Sequence, residues 1–495
     1  MLEWLRMIAS RINETDVTIE RRIARIPRSG ADTALARITT AANHSVLWFV
    51  IAAALASRRG VTRRAALRGV VAIGGASLLT NAVAKPLMPR RRPAADALPD
   101  FRTLPDPPTS SSFPSGHAAS AAAFTTAVAM ESPVAGMVIA PLAATVAYSR
   151  VHTGVHWTSD VVAGAALGGA VALATRRWWA VRPDVPARAR PHADVEALPQ
   201  GDGLVVAANK HAGDRSVDPA DEINQALPKA RIVALEAGDD LVERLTAEVD
   251  DSTKAVGVAG GDGSVAAVAA VAERHRLPLA VLPAGTLNHF ARDIGVATFD
   301  DAAEAMRTGE AVSVDLATVR VDGAAPRPFV NTASIGGYPD MVRIRERWEH
   351  RLGKWVSAGL ALIRVLAEAR PLHVTMEGRR RAVWLLFVGN GPYHPRGMVP
   401  AWRPGLDTGL LDVRYLRADV RMSRTRFLVA ALTGTLTRSR VYVQREIPRL
   451  TVDVHGEPVA LATDGEVPAS GTRFDFAVAE ARLTVYRPKD PEITR

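Results

Sequence analysis

The sequence predicts a multidomain chain: an all-α transmembrane helical bundle, then an α/β domain, then an antiparallel β-sandwich domain. Three observations predict it. Apolar stretches rich in Ala, Val, Leu and Gly, and poor in acids, are confined to residues 39–175. After Trp178-Trp179 comes a run rich in Pro, Ala and Arg with no periodicity. From Leu204 short β-type runs alternate with helical patterns, and from about Val312 strands dominate.

Bulk composition narrows the partners. The 495 residues suffice for two or three cores, and 48% are apolar. The formal charge is +10, with the excess Arg in clusters such as Arg63-Arg64, Arg90-Arg91-Arg92 and Arg379-Arg380-Arg381. No aromatic-interleaved nucleic-acid motif accompanies them, so phosphates and membrane lipids are the expected partners, not nucleic acid. The absence of cysteine excludes disulfides, thiol catalysis and zinc–thiolate sites.

The elements follow in order. Residues 1–37 open on MLEWLRMIASRINETD, which lacks the core and cleavage site of a signal peptide and resembles an amphipathic interfacial helix. Five apolar stretches follow: Ile38–Ala56, Ala65–Ala84, His117–Met130, Val134–Ser149 and Thr158–Thr175. The first, second and fifth approach the ~20 residues that cross a bilayer. The third and fourth alone also fit buried soluble helices, but five in succession would overfill a soluble core. Residues 38–178 are thus one membrane domain, 179–202 a linker, 203–310 an α/β domain, 311–487 a β-rich domain and 488–495 a tail. In the α/β part LVVAAN, RIVALEA, AVGVAGGDG and LPLAVLPAG are buried-strand candidates; helices are expected near Met341–Ala369 and Ser423–Thr437 within the β-rich part.

Three short elements sit at edges of apolar stretches: KPLMPRRRP (Lys85–Pro93), PSGH (Pro114–His117) and SRVHTGVHWTSD (Ser149–Asp160). If each stretch crosses once, all three surface on one side. Their residue types suit a phosphate monoester. Lys85, Arg92 and Arg150 neutralise its oxygens, while Ser115 and the Gly116 N–H at a helix start add donors. His156 and Asp160 are four apart, which on a helix puts them on one face. The carboxylate then orients the imidazole, making His156 a nucleophile, and His117 supplies the leaving alkoxide's proton. K-x6-RP, PSGH and SR-x5-H-x3-D together resemble the three signature motifs of the type 2 phosphatidic acid phosphatase family. The resemblance covers about residues 30–178 and implies a lipid phosphate phosphatase that needs no cofactor, with the roles just given. His44 and His152 lie outside the motifs and are read as structural.

A second constellation starts at AVGVAGGDGSV (Ala255–Val265): strand, glycine-rich turn, helix start. Such a turn lets backbone approach a phosphate, and the helix N-terminus favours the anion; the plainer reading is a tight strand-to-helix turn. LPAGTLNHFARDIG (Leu282–Gly295), TDGEVP (Thr463–Pro468) and LVVAANKHAG (Leu204–Gly213) follow the same order and spacing as the catalytic domain of the diacylglycerol kinase family, which this half resembles over about residues 203–487. The resemblance implies a lipid kinase fold, ATP with Mg²⁺, and γ-phosphoryl transfer to a lipid hydroxyl. It assigns nucleotide binding to Asn209, Gly260, Gly261, Asp262, Gly263, Ser264, Thr286 and Asn288, the general base to Asp464, metal and water to Glu466, and a structural metal to Asp407. The chain departs from the family at Ala266-Ala267, where Asn-Glu is usual, and at Leu287 and His289 in the second loop. Loss of an acid there bears on metal binding.

Counting crossings leaves the two halves on opposite faces. ATP is cytoplasmic, so the first site is expected to face outward from the inner membrane. Arg58–Arg64 and Arg176-Arg177 then lie inside, as the positive-inside tendency requires. The expected protein is a fused membrane lipid enzyme. A polyprenyl phosphate or diphosphate phosphatase with a regulatory nucleotide-binding half, and an inert scaffold, remain open alternatives.

Overall fold

The computed structural model describes residues 2–58, 60–94, 98–183, 185–192, 195–209, 218–236, 239–285, 288–336, 370–397 and 400–489. The chain divides into two units, Met1–Asp184 and Val185–Arg495. The helix expected near Met341–Ala369 lies outside the described residues, as do Thr286 and Leu287.

Unit 1 is all helix. Its elements are α1 (Leu2–Ala24), α2 (Gly30–Ala41), α3 (Val46–Ala56), α4 (Val61–Leu87), α5 (Gly116–Glu131), α6 (Pro133–His152) and α7 (Thr158–Ala174). Ser29 and Asp32 form a capping box at α2, which stops abruptly before His44 and Ser45, both left-handed at φ 52 and 63. The resulting bend between α2 and α3 is 61°. Ser132 caps α6, with Pro133 at its first position.

Three helices, α4, α6 and α7 with its terminal turn, are long and apolar enough to cross a membrane; the bent α2–α3 pair makes a fourth if counted as one span. Of the five expected stretches, the second, fourth and fifth meet this measure, and the first is bent. The third stretch forms the 16-residue α5, too short by this measure. It is the packed centre of the bundle: Ala119, Ala123, Phe124, Ala127 and Val128 are wholly buried. Gly164 and Gly168 of α7 meet it backbone to backbone. A Cβ on them would lie 2.3 Å from the Ser115 carbonyl oxygen and 2.0 Å from that of Ala119. Small residues permit this approach where lipid supplies no hydrophobic drive between helices. The opposite faces carry exposed Val50, Leu78, Val134, Met137, Val138 and Val162.

The bundle has two polar ends. At one, Arg68 is fully buried and pairs with Glu131 at 2.7 Å. It also donates to Thr175 and to the Trp179 and Ala180 carbonyls, and stacks on Trp179 at 4.8 Å. This binds the start of α4, the end of α5 and the chain leaving α7. The other end gathers the motif residues.

Unit 2 is built on a hydrogen-bonded sheet. The strands are β1 (Arg190–His192), β2 (Leu204–Asn209), β3 (Arg231–Leu235), β4 (Ala255–Gly260), β5 (Leu279–Pro283), β6 (Ala311–Val321), β7 (Arg327–Phe329), β8 (Thr332–Gly336), β9 (Leu372–Met376), β10 (Arg379–Asn390), β11 (Leu411–Arg417), β12 (Tyr442–Ile447), β13 (Arg449–His455), β14 (Val459–Thr463), β15 (Glu466–Gly471) and β16 (Arg473–Tyr486). The helices are α8 (Pro219–Ala226), α9 (Leu241–Glu248), α10 (Asp262–His275), α11 (His289–Asp293), α12 (Phe299–Thr308) and α13 (Ser423–Thr433).

Strands β3, β2, β4 and β5 are parallel neighbours in that order. Wholly buried β4 and β5 read as unbroken apolar runs, as a sheet covered on both faces requires. From β6 on the pairing is antiparallel. The α/β and β-rich parts have separate cores, but their sheet is continuous. The long β16 joins them: it pairs antiparallel with β6, and at Val485 parallel with Leu279 of β5. The stretch read as linker is also partly folded. Arg190–His192 pairs with Ser313–Ala311, and Ala187 and Leu198 enter the first core. Their apolar side chains are too sparse in a Pro-rich run to show a period.

Candidate active sites

In unit 1 the three motifs converge at the second polar end. Arg92 lies 3.3 Å from His156 Nε2 and donates to the Val155 carbonyl at 2.5 Å and the Ser110 carbonyl at 2.9 Å. Lys85 donates to Asn81 and Ser110 at 2.9 and 3.3 Å. Arg150, 1% exposed, donates to Thr39 of α2 at 2.5 Å. The Ser115 N–H donates to the Asp160 carbonyl at 3.0 Å, fixing the start of α5 against α7.

Four buried polar atoms here have no hydrogen-bond partner within the protein: Thr80 Oγ1, Ser115 Oγ, Arg150 Nε and His156 Nδ1. Each such atom costs about 1–3 kcal/mol. The Thr80 and Ser115 hydroxyls and Arg150 Nε are donors that suit an anion rich in acceptor oxygens, whereas His156 Nδ1 faces Asp160.

One expectation needs correction. His156 and Asp160 do not share a helix: Trp157 is extended at ψ 155, and α7 begins at Thr158. The Asp160 carboxylate caps that start, accepting the Trp157 N–H at 3.0 Å. It still lies 3.7 Å from His156 Nδ1, an ion-pair separation longer than a hydrogen bond. Burial, with Arg92 and Arg150 adding to it, pulls the imidazole down to about 4 against the Asp160 carboxylate. It is therefore neutral at neutral pH, with its Nε2 lone pair on the Arg92 side.

Sequence reasoning missed three residues. Asn43 Oδ1 lies 2.9 Å from His117 Nε2 and orients that ring. Arg90 donates to Asp160 at 2.7 Å and pairs with Asp16 of α1 at 2.9 Å. Asp16 also accepts the Ser159 N–H at 2.9 Å and the Ser159 hydroxyl at 2.5 Å. Only the unusual arginine run 90–92 signals Arg90 in the sequence, and nothing there marks Asp16. His152 has a structural partner, Asp32 at 2.7 Å, which also binds Arg102 at 2.8 Å.

In unit 2 the predicted residues gather at the C-terminal ends of the parallel strands, where ligands of open α/β sheets bind. Asn209, Gly260 and Pro283 end β2, β4 and β5. The two glycine turns touch: a Cβ on Gly285 would lie 2.5 Å from Gly261 Cα. Asp262 braces them, accepting the His289 and Phe290 N–H groups at 3.1 and 2.9 Å. It is a strut between loops as well as a candidate nucleotide neighbour. Ser264 sits in the first turn of α10, close over Gly260. Asn288 donates to the Gly285 carbonyl, while its Oδ1 is buried without a partner.

Glu466 reaches the same place from the β-rich part. A Cβ on Gly263 would sit 2.4 Å from Glu466 Oε1. Asp464, left-handed at φ 48 in the turn before β15, accepts the Val330, Asn331 and Thr332 N–H groups at 2.8–2.9 Å. Burial pushes it up to about 7 against those three donors, with Asp262 adding to the rise. Behind it Arg403 is buried and pairs with Asp293 at 2.7 Å. It also holds the Val330 and Asn390 carbonyls and Asn331 Oδ1, and Tyr393 donates to the Asn331 carbonyl. Asn390 at the end of the apolar run AVWLLFVGNG was the one available signal for this network.

The touching glycine turns bring backbone close at a helix start, which suits nucleotide phosphates, while the unpartnered Asn288 oxygen is an acceptor that suits a donor group. Among the described residues no three His, Asp or Glu side chains are grouped to hold a metal ion, Asp407 included. Mg²⁺ carried by a nucleotide would need fewer protein ligands, since phosphates and water complete its shell; Glu466 lies beside Gly263.

Together these features give a chain with a cluster of basic and imidazole side chains at one end of a helical bundle and a pair of touching glycine turns on an α/β sheet. The comparisons agree. The PAP2 superfamily matches residues 65–184, and the diacylglycerol kinase catalytic domain matches 203–319. A protein of Xanthomonas oryzae pv. oryzae, described as "Probable lipid kinase YegS-like", is 32% identical over 282 residues, covering 52% of this chain and 86% of that one. A Mycobacterium tuberculosis "Diacylglycerol kinase" is 27% identical over 271 residues, covering 52% and 85%. A solved PAP2-type phosphatidylglycerolphosphate phosphatase from Bacillus subtilis is 25% identical, covers 35% of this chain and 90% of its own, and has a TM-score of 0.28. The chain belongs to the diacylglycerol kinase catalytic-domain family through unit 2, and carries a PAP2 superfamily domain in front of it.

Proposed function

We propose that this chain is a bifunctional membrane lipid enzyme. Its first site removes the phosphate from a lipid phosphate monoester such as phosphatidic acid; its second transfers the γ-phosphoryl of ATP to a lipid hydroxyl such as that of diacylglycerol. The observation that carries the first activity is the convergence of Lys85, Arg92 and Arg150 around His156. That of the second is Asp464 and Glu466 meeting the paired glycine turns.

In the phosphatase step the phosphate lies among Lys85, Arg92, Arg150, Ser115 and the Gly116 N–H, which stabilise charge on its equatorial oxygens. His156 Nε2 attacks phosphorus and the P–O bond to the lipid breaks. Asp160, locked by Arg90, stabilises the imidazolium through Nδ1. The departing alkoxide takes a proton from His117, held by Asn43. A water then cleaves the phosphohistidine, giving its proton to His117 and restoring both groups.

In the kinase step ATP supplies the phosphoryl group, and Mg²⁺ bound with it, near Glu466, would spread charge from the phosphates. The glycine turns, Ser264 and Asn288 hold the phosphates. Asp464 accepts the lipid hydroxyl's proton as the oxygen attacks. Ala266 and Ala267 stand where the family has Asn-Glu, so Glu466 carries the carboxylate role alone.

The sidedness follows from unit 1. Each of α4, α5, α6 and α7 runs between the phosphate end and the Arg68–Glu131 end, and the chain leaves at the latter. With ATP supplied from the cytoplasm, this supports a phosphatase site that faces outside an inner membrane and a cytoplasmic kinase unit. The test is labelled lipid phosphate and labelled ATP with a panel of lipid alcohols, using purified full chain. Release of phosphate from lipid phosphates and label transfer to a lipid alcohol are expected. Failure to transfer label to any alcohol removes the kinase assignment.

A further inference from the structure

Helix α2 precedes all three motifs, yet it meets their end of unit 1 at three points. Asp32 Oδ1 lies 2.7 Å from His152 Nε2, the Thr39 hydroxyl accepts from Arg150 Nη1 at 2.5 Å, and Asn43, just past the helix, lies 2.9 Å from His117 Nε2. The steps are seven and four residues, two turns and then one. These three side chains therefore form one polar stripe along α2 and its continuation.

Thr39 is the informative member. It is wholly buried. A helical threonine commonly returns its hydroxyl to a carbonyl one turn back, as Thr40 does to Ala36 at 2.9 Å. Thr39 instead receives an arginine. The other buried arginines of unit 1 are neutralised: Arg68 pairs with Glu131 and Arg102 with Asp32. Among the described residues no carboxylate pairs with Arg150; a neutral hydroxyl holds it. A guanidinium is a rigid planar fork, so fixing one N–H fixes the direction of the rest. Arg150 Nε, in the same plane, is buried without a partner in the protein. An acid in place of Thr39 would also orient the fork, but it would compete with a bound anion for the charge. A hydroxyl orients the fork and leaves the charge to the anion.

We propose that Thr39 is a positioning residue of the first site: it holds the Arg150 guanidinium without neutralising it, so that Nε is left to bind the phosphate. The proposal rests on the phosphatase reading for the reaction, and on the geometry alone for the binding of the anion.

The test uses purified full-length chain and two readouts. One is release of labelled phosphate from a lipid phosphate; the other is calorimetric binding of orthovanadate, a phosphate analogue that needs no turnover. Thr39→Val keeps the shape and removes the acceptor. KM and the vanadate Kd should each rise about tenfold, with kcat within about threefold and ATP-dependent label transfer to lipid unchanged. Thr39→Ser keeps the hydroxyl and should stay within about twofold of the unsubstituted chain. In an Arg150→Lys background, which lacks the fork, Thr39→Val should add less than about twofold, whereas a role independent of Arg150 would multiply in full. Unchanged KM and Kd in Thr39→Val, loss in Thr39→Ser, or the full effect in the lysine background overturns the proposal. So does equal loss of phosphatase and kinase activity in both Thr39→Val and Thr39→Ala, which makes Thr39 a packing residue. An unsubstituted chain that binds vanadate but releases no phosphate from lipid removes the phosphatase reading, and the vanadate arm then decides on Thr39. One that does neither removes both.

Discussion

The two units build their candidate sites from different material. In unit 1 nearly every group proposed to meet the anion is a side chain at or beyond a helix end, namely Lys85, Arg92, Ser115, His117, Arg150 and His156, with the Gly116 N–H the backbone exception. In unit 2 the cradle is backbone, two glycine turns packed against each other, with side chains arriving from a second core. The first kind of site tolerates little change in residue type but some in spacing. The second tolerates little added volume. On the proposed roles, an anion site that works without a metal would need fixed cations, whereas a site that receives its cation with the nucleotide could rely on close backbone approach.

The sharpest break between the two is a crossed pair of substitutions. His156→Ala removes the nucleophile, and phosphate release should fall at least about 10³-fold. ATP-dependent transfer to lipid should be unchanged. Asp464→Asn should do the reverse, by a similar factor. Labelled-lipid and labelled-ATP assays on the same preparations check both. A variant that loses both activities together has unfolded, or the two sites are one machine.

The next effect is in pH. Asp464 must be ionised to accept a proton, and burial raises it to about 7. Below that value its protonated fraction grows, so kinase kcat/KM should fall about tenfold per pH unit and be about 100-fold down at pH 5. It should level off above pH 7. A flat profile from pH 5 to 8 would mean that another group takes the hydroxyl proton.

Smaller again is a volume change. Gly263→Ala places a methyl 2.4 Å from Glu466 Oε1. The carboxylate must swing away, and kinase kcat should drop about 30-fold, a scale expected for displacement by about 1 Å. Phosphatase activity should not move. Unchanged kinase activity would show that Glu466 has no part in the reaction.

How much of this was legible follows from the same contrast. The gathering of the three motifs at one end of unit 1 was readable because their charges sit in apolar surroundings, where each has a cost. The strands ending at Asn209, Gly260 and Pro283 were readable from unbroken apolar runs. What failed was local geometry. A four-residue spacing suggested a shared helix for His156 and Asp160, yet the carboxylate's preference for a helix start placed the boundary between them. The central place of α5 was not legible either, because apolarity alone does not tell a helix packed on all sides from one that faces lipid. Arg403, Asn331 and Tyr393 were invisible because their network is assembled from distant strands and depends on burial, not on spacing.

The smallest predicted effect concerns a residue outside every motif. Asp16 of the amphipathic α1 holds Arg90 at 2.9 Å, and Arg90 holds Asp160 at 2.7 Å. Asp160 in turn faces His156 Nδ1. Asp16 touches neither substrate nor nucleophile; it is a positioning residue at two removes. Asp16→Asn keeps an oxygen for the Ser159 N–H and loses the charge that fixes Arg90. Arg90 is then free to tilt, and the carboxylate that stabilises the imidazolium loses its lock. The expected result is a fall of about tenfold in phosphatase kcat with KM little changed, since the phosphate-binding cations are untouched. Asp16→Glu, which keeps the charge, should recover most of the rate. The kinase activity of the same chain is an internal measure of intact protein. Equal loss of both activities, or a rise in KM with kcat intact, would reduce Asp16 to a packing contact between α1 and α7.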